Sequence, residues 1–345
     1  MLKLKAKLDL DKILLSPNIA ASIHKDDLKK IAEDVCSRKT FDKESRRKWE
    51  HLTKKVIKLA KLEKERKDTP FENASNVKYP LIATAVMQLA ARLYPEIVRN
   101  GSVVATSVAG DDPDNIKHQI ARVIADHMNY QLLIESEEFE NGLDKLLHTF
   151  GLTGVAFEKT YYDPIKRINV SEVIPYDEVI IHNEVKSLET ARRITHVLQM
   201  HKNDILEQIR YGVYNEIDDK KLDIDLVSFE GKEEHEVLEQ HRYLDLDGDG
   251  YEEPYIVTVL SKSQDVLRII ARFDPDGIQK NKKGKVQCIE PIHYFTDYHC
   301  IPNPDGSYYS IGLGHLLFNM NHSINTLINQ AIDAGTLSNL QTGLI

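Results

Sequence analysis

The hydrophobic period of this chain changes at Gly151 and changes back at Gly312. Ahead of Gly151, apolar residues recur at helical spacing. After it, they alternate or run in short blocks bounded by Gly, Pro, Asn and Asp. From Gly312 to Gly335 the helical spacing returns through Leu313, Leu316, Leu317, Met320, Ile324, Leu327, Ile328, Ala331 and Ile332. Helices, then strands, then a long helix define an α+β chain.

Element by element, residues 24–68 are charged and free of Gly and Pro, and read as helical with Trp49 as the single tryptophan. Leu81 to Leu93 forms a helix opened by Pro80 and stopped by Pro95, apolar nearly all round and so buried in the fold or between subunits. A helix from Asp111-Asp-Pro-Asp to about Glu135 follows, then one from about Glu137 to Phe150. Val155–Tyr162 and Ile168–Ile174 form a hairpin about Asp163-Pro164. Val179–Ile181 and Ile194–Met200 are strands, with a short helix near Asp204–Tyr211. Glu216–Gln240, with ten Asp+Glu against three Lys, reads as a mobile acidic loop running into a strand. An antiparallel meander is expected over Val237–Leu244, Tyr255–Leu260 and Val266–Phe273, with a further strand at Lys285–Glu290.

The 345 residues exceed one average domain. Cys36, Cys288 and Cys300 are few, odd in number and widely spaced, which points to free thiols in a reducing cytoplasm and to no zinc site. The first residues interleave charge with apolar side chains, unlike a signal peptide, and Leu81–Leu93 is too short to span a bilayer.

The net charge of −9 is unevenly spread. Met1–Asp68 carries 20 Lys+Arg against 12 Asp+Glu, a local +8, so the remainder carries −9 − 8 = −17. A protein that grips DNA shows a dominant basic face, which most of this chain lacks. Between Lys43 and Lys67 eleven basic residues meet four acidic ones. Such a run is commonly a solvated helix face. Its candidates for nucleic-acid or partner contact are Arg46, Arg47, Lys48, Lys54 and Lys55, and the interleaved carboxylates favour a protein partner.

Signatures of catalysis are missing. Neither G-x-S-x-G nor H-E-x-x-H occurs. Gly277 to Val286 has six residues between its glycines and Val286 where a phosphate loop needs Ser or Thr, so it reads as a basic hairpin turn. Gly312-Leu-Gly314 lacks a third glycine and reads as a flexible lead-in to the last helix. Asp245-Leu-Asp247-Gly-Asp249-Gly250 matches the start of a calcium loop, but Ile256 stands at position 12 and the flanks are strands. The expectation is a structural turn without metal, Glu252 or Glu253 being the substitute ligands if calcium binds. His315 and His322 share a helical stripe without a carboxylate or cysteine partner, a poor metal set.

One stretch stands apart. From Gly306 to Ile345, 40 residues, only Asp333 is charged, where about twelve charges match the chain average. Beside the apolar stripe lie Asn319, Asn321, Ser323, Asn325, Thr326, Asn329 and Gln330. Neutral amides suit a face packed on identical copies, where like charges would be desolvated and repel. The candidate oligomer interface is Leu316, Met320, Asn321, Ile324, Asn325, Ile328, Asn329 and Ile332.

Tyr251–Val259 after the Asp-Gly run, Ile301-Pro-Asn-Pro-Asp-Gly, Gly312-Leu-Gly-His-Leu-Leu and Ile324–Leu337 resemble portal proteins of tailed bacteriophages, of the kind found in short-tailed phages. Asn76–Pro95 and Tyr161-Tyr-Asp-Pro look similar too, so the likeness covers roughly Phe71 to Ile345. The resemblance implies a portal-like α+β fold. It divides into a basic helical arm at 1–70, a wing-like α+β region at 71–230, a β-rich wing and clip at 231–311, and a stem-type helix at 312–345. Family members continue past the point matching Ile345, so the chain resembles a portal truncated at its C-terminus. The family further implies a dodecameric homo-oligomer at one capsid vertex of the virion, assembled in the host cytoplasm. Double-stranded DNA passes through its channel during packaging and ejection. The terminase large subunit docks on it, as do coat, scaffolding or head-completion proteins. No membrane, cofactor or catalysis is expected. Two rival readings are a metal-dependent nucleic-acid-processing enzyme using Asp245, Asp247 and Asp249, and a monomeric DNA-binding module built on residues 43–67.

Overall fold

The computed structural model describes residues 4, 8, 13–14, 16–63, 71, 74–99, 101–136, 138–163, 167–217, 234–281 and 286–339. The expected turn at Pro164, most of the acidic loop and the basic turn at 282–285 lie outside them. In chain order the helices are α1 (Lys25–Ser45), α2 (Arg47–Ala60), α3 (Leu81–Ile97), α4 (Ile116–Tyr130), α5 (Phe139–Thr153), α6 (Lys202–Arg210) and α7 (Leu313–Asn339). The strands are β1 (Val155–Asp163), β2 (Ile168–Ile174), β3 (Val179–Ile180), β4 (Arg193–His201), β5 (Glu234–Leu244), β6 (Glu253–Leu260), β7 (Asp265–Ala271), β8 (Ile278–Lys280), β9 (Val286–Ile289) and β10 (Phe295–His299).

These elements form two compact units, each assembled from two separate stretches. Met1–Arg47 joins Tyr176–Tyr294, and Lys48–Pro175 joins Phe295–Ile345. The boundaries expected at 70, 230 and 311 therefore do not coincide with the units.

In the first unit the expected meander is the centre of a five-stranded antiparallel sheet, ordered β3-β4-β5-β6-β7. Every residue of β6 is buried, which explains why Pro254–Leu260 is almost continuously apolar. Alternation along the strands separates two cores. Val257, Val259, Val266 and Ile269 face Ile31, Ala32 and Val35 of α1. Val237, Leu260 and Leu267 face Ile205 of α6. Ion pairs fix α1 on the sheet: Arg193 donates twice to Asp42, at 2.8 and 3.0 Å, and Arg242 donates to Asp34 at 2.5 Å. Burial by itself raises the Asp34 carboxyl, but Arg242 and then Arg38 outweigh it and hold it below the usual range.

The second unit carries the sheet β10-β1-β2. The hairpin β1–β2 forms as the sequence suggests, with Phe157 opposite Ile174. Strand β10 was not foreseen. It pairs with β1 from Val155 opposite His299 to Lys159 opposite Phe295. Leu146 and Leu147 of α5 and Ala90 of α3 close one core with Ala156 of the sheet. Helix α3 buries Ile82, Val86 and Ala90 only, at i, i+4, i+8, while Met87 is half exposed, so it is not buried all round. Pro95 does not end it, since the helix runs to Ile97. Proline gives up its own bond to the preceding turn but still accepts the helical backbone angles, and Val98 N donates to Tyr94 O at 2.9 Å beyond it.

Gly154 and Gly312 are set by steric contact. A Cβ on Gly154 would lie 2.5 Å from Gly312 N, and one on Gly312 would lie 2.5 Å from Leu152 O. At Gly314 a Cβ would fall 2.3 Å from Val56 Cγ1. The Gly312-Leu-Gly314 pair, expected to be a flexible lead-in, is a site of close backbone packing.

Candidate functional site

Helix α7, the expected interface, is oriented by a ladder of polar side chains one turn apart. Asn321, Asn325, Asn329 and Asp333 form its buried stripe. Each accepts a backbone N–H from the extended segment before α3 or from the first turn of α3: Ile82 to Asn321 (3.1 Å), Tyr79 to Asn325 (2.7 Å), Val77 to Asn329 (2.7 Å) and Ser75 to Asp333 (2.7 Å). The amides of Asn321 and Asn329 donate back to the carbonyls of Tyr79 and Val77, both at 3.0 Å. The helix thus serves residues 75–82 as a neighbouring strand would, satisfying groups that burial would otherwise leave costly. This corrects the intersubunit role expected of Asn321, Asn325 and Asn329, which are buried within the chain; their oxygens and the amides of Asn321 and Asn329 are bonded there, while the buried Asn325 Nδ2 has no partner among the described residues. The four share i, i+4 spacing and include the one charge of the run, a signal visible in the sequence.

The apolar candidates lie differently. Leu316, Met320 and Ile332 are exposed, as is Leu327 beside them, while Ile324 and Ile328 are half-buried. Usual burial is inverted, with amides inside and aliphatic side chains outside. Helix α4, not singled out in the sequence, shows the same feature more strongly. Ile116, Ile120, Val123, Ile124 and Met128 follow i, i+4, i+7, i+8, i+12 on one stripe, and no residue of the helix is buried. Val123 is 67% exposed. The helix is tied to residues 103–106 instead: Asn129 accepts from Val103 N (2.8 Å) and Val104 N (2.9 Å), and Thr106 donates to Ala121 O (2.8 Å).

The basic candidates divide. Arg46 is 1% exposed and donates to the carbonyls of Val179 (2.6 Å), Tyr176 (3.1 Å) and Asp177 (3.3 Å). It is a structural cation within the first unit, and its expected contact with DNA or a partner is withdrawn. Arg47 is exposed and pairs with Glu44 at 2.9 Å, which raises its already high pKa. Lys54 pairs with Glu50 at 2.7 Å on the same helix, and Lys48 and Lys55 are exposed. Trp49 has a packing role: its Nε1 donates to Ser310 O at 3.1 Å, and its ring lies 4.5 Å from that of Tyr309.

The acidic hairpin between β5 and β6 brings Asp245, Asp247, Asp249 and Glu253 together, with one carboxylate oxygen from each within 4.8 Å of the others. Glu253 is 1% exposed. Its Oε2 accepts from the Tyr255 hydroxyl at 3.3 Å, while Oε1 is buried without a hydrogen-bond partner. Burial, then the charge of Asp247, pushes its carboxyl up to about 8; the backbone N–H groups of Glu253 and Leu246 oppose this only in part. Asp247 is raised too, by burial and by Asp249 and Asp245. Of the two histidines weighed above, His322 is exposed and His315 is engaged in α2–α7 packing.

Fold and surfaces together define an α+β chain that presents apolar helix faces to solvent in one unit and a four-carboxylate hairpin in the other. None of the described helices is long and apolar enough to cross a membrane. No protein-family model matches the chain, and no curated protein matches it significantly.

Proposed function

We propose that this chain is a structural subunit of a homo-oligomeric ring of the phage-portal kind, which conducts double-stranded DNA at a capsid vertex and catalyses no reaction. The observation that carries the oligomer is α4, a regular amphipathic helix whose whole apolar stripe faces solvent. A stripe of five apolar side chains, each 42–67% exposed, is unfavourable in water, and covering it gains a part of the about 1.5–3 kcal/mol that full burial of such a side chain is worth. The occupant is a second copy of this chain, because the matching outer face of α7 is uncharged and brings no like-charge repulsion when identical copies meet.

The portal kind rests on the sequence resemblance, whose most specific part, Ile301–Leu337, covers most of α7. The acidity fits the same role. A conduit must let duplex slide, and each phosphate contact would add salt-dependent affinity and drag. Terminase and other head proteins are the partners this reading implies, and the virion is its location.

Electron microscopy of the purified protein tests the proposal. Closed rings with a central channel are expected, together with duplex DNA left intact in magnesium. Monomers that cleave DNA with magnesium would support the enzyme instead.

A further inference from the structure

We propose that the β5–β6 hairpin is a calcium site, with Asp245, Asp247, Asp249 and Glu253 as its side-chain ligands. The proposal is independent of the portal reading.

Three aspartates in a turn would not carry it, since such turns form without ions and their carboxylates cap backbone N–H groups. Here Asp245 accepts from Gly248 at 2.7 Å, and Asp249 from Tyr251 at 2.7 Å. The independent observation is Glu253. It is the first residue of β6, paired with Leu244, so the sheet fixes its direction. Its side chain is buried, Oε1 has no hydrogen-bond partner, and one of its oxygens lies within 4.8 Å of an oxygen on each of the three aspartates. A buried carboxylate with an unpartnered oxygen beside three like charges is costly unless a proton or a cation neutralises it, and a cation can be shared by all four.

The donor set favours calcium. One oxygen from each residue lies within 4.8 Å of the others, inside the about 5 Å that two oxygens on one calcium at 2.3–2.6 Å can span. Four carboxylates and no neutral donor suit calcium better than magnesium, which keeps several waters and demands octahedral regularity. The sequence speaks for a metal-free turn because Ile256 occupies the twelfth loop position, with Glu252 or Glu253 as the substitute ligands. The structure brings Glu253, the ninth, to the aspartates, where a strand replaces the helix of the usual loop.

The test is calorimetric titration of the full chain with calcium chloride after chelator treatment, alongside thermal melts. Expected are one calcium per chain, magnesium weaker by about tenfold or more, and a higher melting temperature with calcium. Glu253→Gln should abolish binding while melting no lower than the wild type in chelator, because the isosteric neutral amide replaces a carboxyl that has to be desolvated or protonated there. Asp249→Asn, at an exposed position, should weaken binding by about tenfold with its chelator melt unchanged. No calcium binding by the wild type at millimolar concentration would overturn the proposal. So would undiminished binding in both variants.

Discussion

Asn329 shows what a helix amide can do when it faces an extended chain instead of water. Its Oδ1 accepts from Val77 N and from Ser75 Oγ (2.8 Å), and its Nδ2 donates to Val77 O and Asn325 O. Removing it strands several buried polar groups at once, so Asn329→Ala is expected to cost about 1–3 kcal/mol in chemical denaturation. Asn319→Ala, exposed on the same helix, is expected to cost within about 0.5 kcal/mol. Equal losses in the two variants would contradict the ladder. Arg46 and Arg47 form a similar contrast. Arg46→Gln should lower the melting temperature because three backbone carbonyls lose a charged donor, and Arg47→Gln should not. At this scale the sequence revealed that the amides of α7 were unusual but not what they touch. Their partners lie some 240–260 residues earlier, and no local pattern marks residues 75–82 as needing acceptors.

The contact between α2 and α7 gives the element scale its clearest energetics. His315 Nδ1 accepts from Gly312 N at 3.0 Å, and its Nε2 meets Thr53 Oγ1 at 2.9 Å, while that hydroxyl donates to Trp49 O. The chain of bonds suits a neutral imidazole protonated on Nε2, and burial lowers the His315 pKa below 6.5. The folded value is depressed, so below pH 6.5 the unfolded chain takes up a proton that the folded chain resists. The His315 contribution is therefore full above that pH and is lost as pH falls toward the folded pKa. Melting temperatures should drop between about pH 7.5 and pH 5, and His315→Gln should flatten the slope. An unchanged slope would show that other groups carry it. Gly314→Ala should also destabilise, by about 1–3 kcal/mol, since its Cβ meets Val56 and the Leu152 carbonyl. Most elements were legible because period is local: the hairpin β1–β2, the meander and α7 all follow from spacing. Strand β10 was not, being five residues without clear alternation whose partner β1 lies about 140 residues away.

For the whole molecule the apolar faces decide. Composition alone looks like that of an ordinary soluble chain, and only the structure shows that α4 spends no side chain on a core of its own. The sequence did mark α7 as an interface, and its outer residues Leu316, Met320 and Ile332 still fit that role, while the amides beside them do not. The units themselves were illegible in sequence, because each is made from stretches far apart in the chain. If copies cover these faces, a charge on either should open the assembly without unfolding the subunit. Val123→Glu and Leu327→Glu, both at exposed positions, are expected to keep the helical content and melting transition of the subunit. The most direct measurement is sedimentation velocity of the wild type and of the double variant at micromolar concentration. The account predicts one large, discrete species of many subunits for the wild type and a folded monomer for the variant. A wild-type chain that sediments as a monodisperse monomer would contradict it.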